Sequence, residues 1–99
     1  MPPCTYSEEA ASFLSVVAEP NRLKILCHLK EGELCVCELI ERLDLPQNLL
    51  SHHLKTLRKF GLLDSRKDGQ RVYYRLDQEK LDHFATLTNN IFAPKGTCV

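Results

Sequence analysis

Apolar residues recur at helical spacing in five stretches of this chain and alternate with polar ones in a sixth, with Pro and Gly marking most of the breaks. The first stretch, predicted as a helix over 6–18, opens near "TYSE", where Thr5 or Ser7 can cap, and places Ala10, Phe13, Leu14 and Val17 on one face. Pro20 ends it and begins the second, "PNRLKILCHLK", whose buried side is assigned to Leu23, Ile25, Leu26 and Leu29, with Gly32 as its stop. A third and a fourth helix, spanning 35–60, are joined by "DLP". Pro46 stands at the first position of the fourth, Leu50, Leu54 and Leu57 form its core stripe, and Gly61 closes it. In "LLDSRKDGQRVYYRL", the alternation around Asp68-Gly69 predicts a hairpin over 62–76, with Val72 and Tyr74 inward. The last helix, over 77–93, carries Leu81, Phe84, Leu87 and Ile91 and ends before Pro94, leaving short flexible tails at 1–5 and 94–99.

The expected architecture is one mainly α domain with a small β-hairpin. Two short helices followed by a basic hairpin fit a winged helix-turn-helix, five helices plus wing. The polar side of the fourth helix carries Gln47, Asn48, Ser51, His52 and Lys55. Gln and Asn can pair bidentately with adenine, and Ser and His can reach base edges or phosphates. Arg58, farther along the same helix, and Lys67, Gln70 and Arg71 at the hairpin tip complete the candidate duplex contacts. The first and last helices together offer more apolar surface than so small a domain is expected to cover, which predicts a homodimer seam.

The start of the third helix raises a chemical question. Cys35 and Cys37 in "CVCE" are two residues apart, and a regular helix would turn their side chains to nearly opposite sides. Cys35 also stands three residues before Glu38, the spacing of a capping box, with Leu34 and Leu39 at the staple positions. As an N-cap, Cys35 has non-helical dihedrals, and its sulfur can swing toward that of Cys37. The helix N-terminus favours thiolate, Glu31, Glu33 and Glu38 oppose it, and a soft cation would reverse the balance.

The formal charge is zero across 99 residues, yet it is segregated. Between Gln47 and Arg75, seven basic residues face only Asp64 and Asp68, a local excess of five that suits a polyanion held on one face, although a solvated face has the same signature. Five cysteines, an odd number, favour thiols or metal ligands over a disulfide framework. Neither a signal-peptide pattern nor an apolar run of membrane-spanning length occurs, so the expected location is the cytosol, with no membrane partner. The chain lacks a C-x-x-C on a βαβ unit, a phosphate-binding glycine loop and a Ser/His/Asp arrangement, which argues against catalysis.

From "AEPNRLKIL" through "ELCVCELIERL" and "SHHLKTLRKFGLL" to "KDGQRVYYRL", over roughly residues 10 to 76, the chain resembles the ArsR/SmtB family of winged-helix metal-sensing repressors. The resemblance implies a dimer that occupies an imperfect palindromic operator in double-stranded DNA and leaves it when an inducer binds. "ELCVC" is similar to the thiolate motif of members sensing arsenite, antimonite, cadmium or lead. It makes Cys35 and Cys37 the inducer ligands, while Ser51 and His53 match the family's recognition-helix signature and join the DNA-binding set. Some arsenite-sensing relatives have a third cysteine where this chain has Ile40, so the third sulfur is sought in Cys4 first and Cys98 second. The zinc-type site on the last helix is not expected, because Asp77 and His83 lack their companion histidine where Asn89 and Asn90 stand.

Plainer roles are open for several of these residues. Cys35 and Cys37 can be small buried residues, and Cys27, in a leucine-rich stripe, reads as core. His53 can be a packing residue bracing the fourth helix, and His28 and His83 read as surface. A thiol-redox or persulfide-responsive repressor of the same fold is the nearest alternative, although a C-x-C pair is an awkward disulfide within a helix. A thiol or metal-handling protein without a DNA role is the more distant one.

Overall fold

The computed structural model describes residues 7–94. Helices α1 (Ser7–Val17) and α2 (Pro20–Leu29) lead into a short strand β1 (Leu34–Cys35), helix α3 (Val36–Leu43) and helix α4 (Gln47–Phe60). The hairpin β2 (Leu63–Asp68) and β3 (Arg71–Leu76) follows, and α5 (Gln78–Phe92) closes the order. The five helices and the wing arise where the hydrophobic periods place them.

Local chemistry explains the boundaries. Glu19 caps α2 by accepting from the Arg22 backbone N–H at 3.0 Å, with Pro20 in the first turn. Asp44 ends α3 in the left-handed region at φ 50°, and the chain re-enters a helix within a few residues. Pro46 is the N-cap of α4 rather than its first helical residue. Gly61 ends α4 at φ 100°, a conformation that a Cβ would strain. Asp77 caps α5 by accepting from the Lys80 N–H at 3.1 Å.

Two features depart from the hairpin expected. Asp68 pairs with Arg71, so the loop residues are Gly69 and Gln70, one position beyond the expected centre. Gly69, at φ 65°, supplies the positive dihedral that such a turn needs at its first loop position. The sheet also has three strands, in the order β1-β3-β2 and antiparallel throughout, because Leu34 pairs with Tyr74 and Cys35 with Tyr73. A two-residue strand has no period of its own and exists only through its partner.

Ile25, Leu29, Leu39, Leu50, Leu54, Leu57 and Leu62 form the fully buried centre, where α2, α3 and α4 meet. Against this centre α1 and α5 pack through Phe13 and Phe84, whose rings stack at 4.8 Å, and Phe60 lies 5.2 Å from Phe84. Much of the apolar surface assigned to a dimer seam is therefore core within one chain: Ala10, Val17, Phe84 and Leu87 are buried. Leu14 and the 73 % exposed Phe92 are the large apolar residues left uncovered on these two helices. In α2, Leu23 is 48 % exposed and Cys27 is exposed, which corrects their assignment to the core, since Ile25 and Leu29 take the buried face instead.

Candidate DNA and thiol site

Cys35 is the structural centre of the site. Its backbone is extended, at φ −79° and ψ 160°, and its sulfur accepts the Glu38 N–H at 3.2 Å. Its own N–H donates to Glu38 Oε1 at 3.1 Å, so the capping box is complete with sulfur in place of the usual hydroxyl. Freed from the helical rotation, the Cys35 sulfur meets that of Cys37, their Cα atoms 5.2 Å apart, and the two are joined as a disulfide. The bond departs from the expectation of thiols or metal ligands rather than disulfides: the awkwardness of a C-x-C bridge belongs to a regular helix, and the N-cap dihedrals remove it. Cys35 is buried at 2 % exposure, whereas Cys37 is exposed.

The pair borders a groove of about 550 Å³ between α3, α4 and the wing. Cys35, Val36, Cys37 and Ile40 form one side, and Gln47, Ser51, Leu54, Lys55 and Arg58 of α4 form another. Gln70, Arg71, Val72 and Tyr74 supply the wing side. Sulfur chemistry and most of the candidate duplex contacts thus share one depression. Asn48, His52 and Lys67 are exposed outside its lining, on the same helix and hairpin.

His53 departs from the DNA-contact set. Only 6 % exposed, it faces α2, where Arg22 Nε–H donates to its Nδ1 at 3.1 Å and Glu19 Oε2 lies 3.5 Å from its Nε2. Because Nδ1 accepts, the ring proton of the neutral tautomer sits on Nε2, toward Glu19. Burial holds the His53 pKa below its ordinary value, against the opposing pull of Glu19. Burial raises the Glu19 carboxyl, but the backbone N–H groups of Arg22 and Asn21 outweigh it and leave it below its ordinary value. Arg22 also reaches the Val16 carbonyl at 3.0 Å, so one guanidinium ties α1 and α2 to the fourth helix. The sequence signal for this burial is helical spacing, since His53 stands three residues after Leu50 and four before Leu57.

The wing's charges are less free than their number suggests. Arg66 donates to both Glu33 carboxylate oxygens, at 2.6 and 2.8 Å, and lies 4.5 Å from the centre of the Tyr73 ring. That bidentate pairing holds the Glu33 carboxyl below its ordinary value. Arg75 lies 3.8 Å from Asp64. Lys67 and Arg71 are the exposed wing cations beyond these two pairs.

Cys4 and Cys98, the candidate third ligands, lie outside the described residues. Among the described residues no group of three His, Cys, Asp or Glu side chains is placed to hold a metal ion. His83 engages Glu9 of α1 at 2.6 Å.

This arrangement, a helix-turn-helix flanked by a sheet-anchored hairpin, defines the winged-helix class of DNA-binding regulators. The family model described as "Bacterial regulatory protein, arsR family" matches residues 19–65, and the chain belongs to that family. It is 42% identical over 76 residues to the arsenical resistance operon repressor of Staphylococcus xylosus, a match covering 77% of this chain and 73% of that one. It is likewise 42% identical over 72 residues to the cadmium resistance transcriptional regulatory protein CadC of Listeria innocua, covering 72% of this chain and 60% of the relative. The solved structure of HlyU from Vibrio cholerae superposes with a TM-score of 0.74 at 38% identity, covering 91% of this chain and 98% of that one. These relatives are transcriptional regulators, and this chain is a transcriptional regulator rather than an enzyme. No helix among the described residues is long and apolar enough to cross a membrane.

Proposed function

We propose that the chain is a cytoplasmic repressor that binds an imperfect palindromic operator as a homodimer and releases it when a thiophilic metal or metalloid ion engages Cys35 and Cys37. The observation that carries this reading is the triple attachment of Cys35: its sulfur caps α3, it is joined to Cys37, and its backbone pairs with Tyr73 of the wing. The two sulfurs meet at one point, which fits a soft ion once the pair is reduced to thiolates. Arsenite, antimonite, cadmium or lead would supply a soft Lewis acid to those sulfurs, with Cys4 or Cys98 as the third donor. The names of the staphylococcal and listerial relatives, which concern arsenical and cadmium resistance, support this class of inducer.

The chain's own residues carry the response. When the Cys35 sulfur turns away from Glu38, the first turn of α3 loses its cap, and α3 leads directly into α4. A displaced Cys35 backbone also pulls on β3 and hence on the hairpin tip bearing Arg71. In a dimer, two fourth helices must fit half-sites about 34 Å apart, so a small rotation weakens both contacts together. A coupling of about 1 to 3 kcal/mol would change affinity roughly 5- to 150-fold. Leu14 and Phe92, uncovered on α1 and α5, are the apolar contacts assigned to the seam.

Operator release by arsenite and by cadmium, compared in the reduced wild type and in the Cys35→Ser/Cys37→Ser double variant, tests the reading. The variant retains DNA binding and the cap but is expected to ignore both ions. Undiminished release from it would end the assignment.

The disulfide favours a second reading, in which oxidation or persulfidation of the same pair is the signal. Mass spectrometry of the pair after persulfide and after arsenite treatment, alongside operator binding, separates the two.

A further inference from the structure

The groove beside the disulfide sets the candidate duplex cations next to an accessible sulfur and an apolar wall. Its walls are apolar at Val36, Ile40 and Tyr74, three cations stand on its lining at Lys55, Arg58 and Arg71, and no carboxylate lines it. A depression of about 550 Å³ lies within the roughly 300–1,000 Å³ range of small-molecule sites. We propose that this groove admits a small thiol bearing carboxylates, which opens the Cys35–Cys37 bond and remains as a mixed disulfide on Cys37. The proposal rests on the second reading above, in which the cysteine pair receives the signal.

Two asymmetries choose the sulfur. Cys37 is exposed and Cys35 is buried, so an incoming thiolate has access to Cys37. The Cys35 sulfur already accepts the Glu38 N–H at the positive end of α3, and that bond stabilises the negative charge appearing there as the sulfur leaves. The incoming thiolate forms one S–S bond with Cys37 as the Cys37–Cys35 S–S bond breaks, and the electron pair departs on Cys35 as thiolate. Disulfide number is conserved, and the only co-reactant is the thiol. The adduct then occupies the space bordered by Gln47, Ser51 and Arg71 and presents its carboxylates to cations otherwise available to DNA phosphates. Release would follow from direct competition, with no change in helix geometry required.

The test uses full-length oxidised protein, its Cys35–Cys37 bond verified by mass, with glutathione as the probe and glutathione diethyl ester as the same peptide with its carboxylates blocked. Fragmentation mass spectrometry after alkylation is expected to place glutathione on Cys37 and the alkyl group on Cys35. At equal thiolate concentration and low salt, glutathione is expected to react about tenfold faster than the ester, the low end of electrostatic steering, and the advantage should shrink as salt rises. The adduct is expected to bind a duplex selected from a random pool about tenfold more weakly than the reduced protein. An adduct on Cys35, equal rates for acid and ester, undiminished DNA binding by the adduct, or sulfurs that do not pair under oxidant would each overturn the proposal. Arsenite release of the reduced protein, measured on the same duplex, reports on the ion reading alone.

Discussion

Arg22 of α2 donates its Nε–H to Nδ1 of the buried His53 on α4, 31 positions away in sequence, at 3.1 Å. This bond fixes the fourth helix to an element that makes no predicted contact with DNA, and it makes His53 a positioning residue. His53→Ala leaves the Arg22 Nε–H without its acceptor inside a packed junction. The expected loss is about 1–3 kcal/mol of stability, read as a lower midpoint in urea unfolding, together with weaker DNA binding. A variant as stable as wild type would show that the bond contributes nothing net.

Acidification should act through the same junction. The folded protein holds His53 below the ordinary imidazole value of 6.5, so the unfolded chain takes up a proton at a pH where the folded chain does not. Stability from this group is complete above about pH 6.5 and is lost as pH falls from there toward the folded value. Glu19, also lowered on folding, adds a loss of the same sign as pH falls through the carboxylate range. Thermal midpoints should therefore drop between pH 7 and 5, and His53→Gln should flatten the upper part of that drop. An unchanged slope in the variant would assign the acid sensitivity to other groups.

For the cap, Cys35→Ser and Cys35→Ala should separate under reducing conditions. Serine keeps an acceptor for the Glu38 N–H, whereas alanine removes it at a cost of about 0.5–1 kcal/mol. Denaturation midpoints of the two variants check this, and equal values would show that the sulfur cap is energetically idle.

On the wing, Arg71 and Arg66 should behave differently although both are arginines. Arg71 is exposed at the groove, while Arg66 is held in a bidentate pair by Glu33. Arg71→Ala should make the slope of log affinity against log salt shallower by about one unit. Arg66→Ala should leave that slope nearly unchanged. Equal effects in salt titrations would mean that Glu33 yields Arg66 to the duplex.

Gly61→Ala is expected to destabilise by about 1 kcal/mol or more, because alanine is strained at φ 100°. The side chain of Lys80 lies 3.8 Å from the added Cβ, an ordinary contact, so the cost comes from the backbone. A neutral result in chemical denaturation would require the end of α4 to relax.

The helices were legible in the sequence because period and punctuation agree: Pro20, Gly61 and the leucines of α4 each serve a local rule and the global packing at once. Cys35 as a cap was legible for the same reason, through its spacing to Glu38. What the sequence withheld depends on tertiary context. Pairing of Leu34 with Tyr74 needs strands distant in sequence, and the N-cap reading brought the two sulfurs together without deciding between free thiols and a bond. Leu23 and Cys27 fit a helical stripe but fall to its outer side, because one fully buried residue per turn, Ile25 and then Leu29, fills the space that α3 and α4 leave. His53 entered the DNA-binding set through the family resemblance, whereas its bracing role, also read from the sequence, agrees with its buried position between Leu50 and Leu57. Arg22 and Glu19 were missed because nothing in "EPNR" indicates a partner so far along the chain.

β1 covers β3 only at Tyr73 and Tyr74, and the outer side of β2 is a six-residue unpaired margin of the small sheet. That strand carries Asp64, Arg66, Lys67 and Asp68 within six residues, a mixture of signs that resists strand-to-strand addition of another chain. Self-association by sheet extension along that margin is thereby disfavoured.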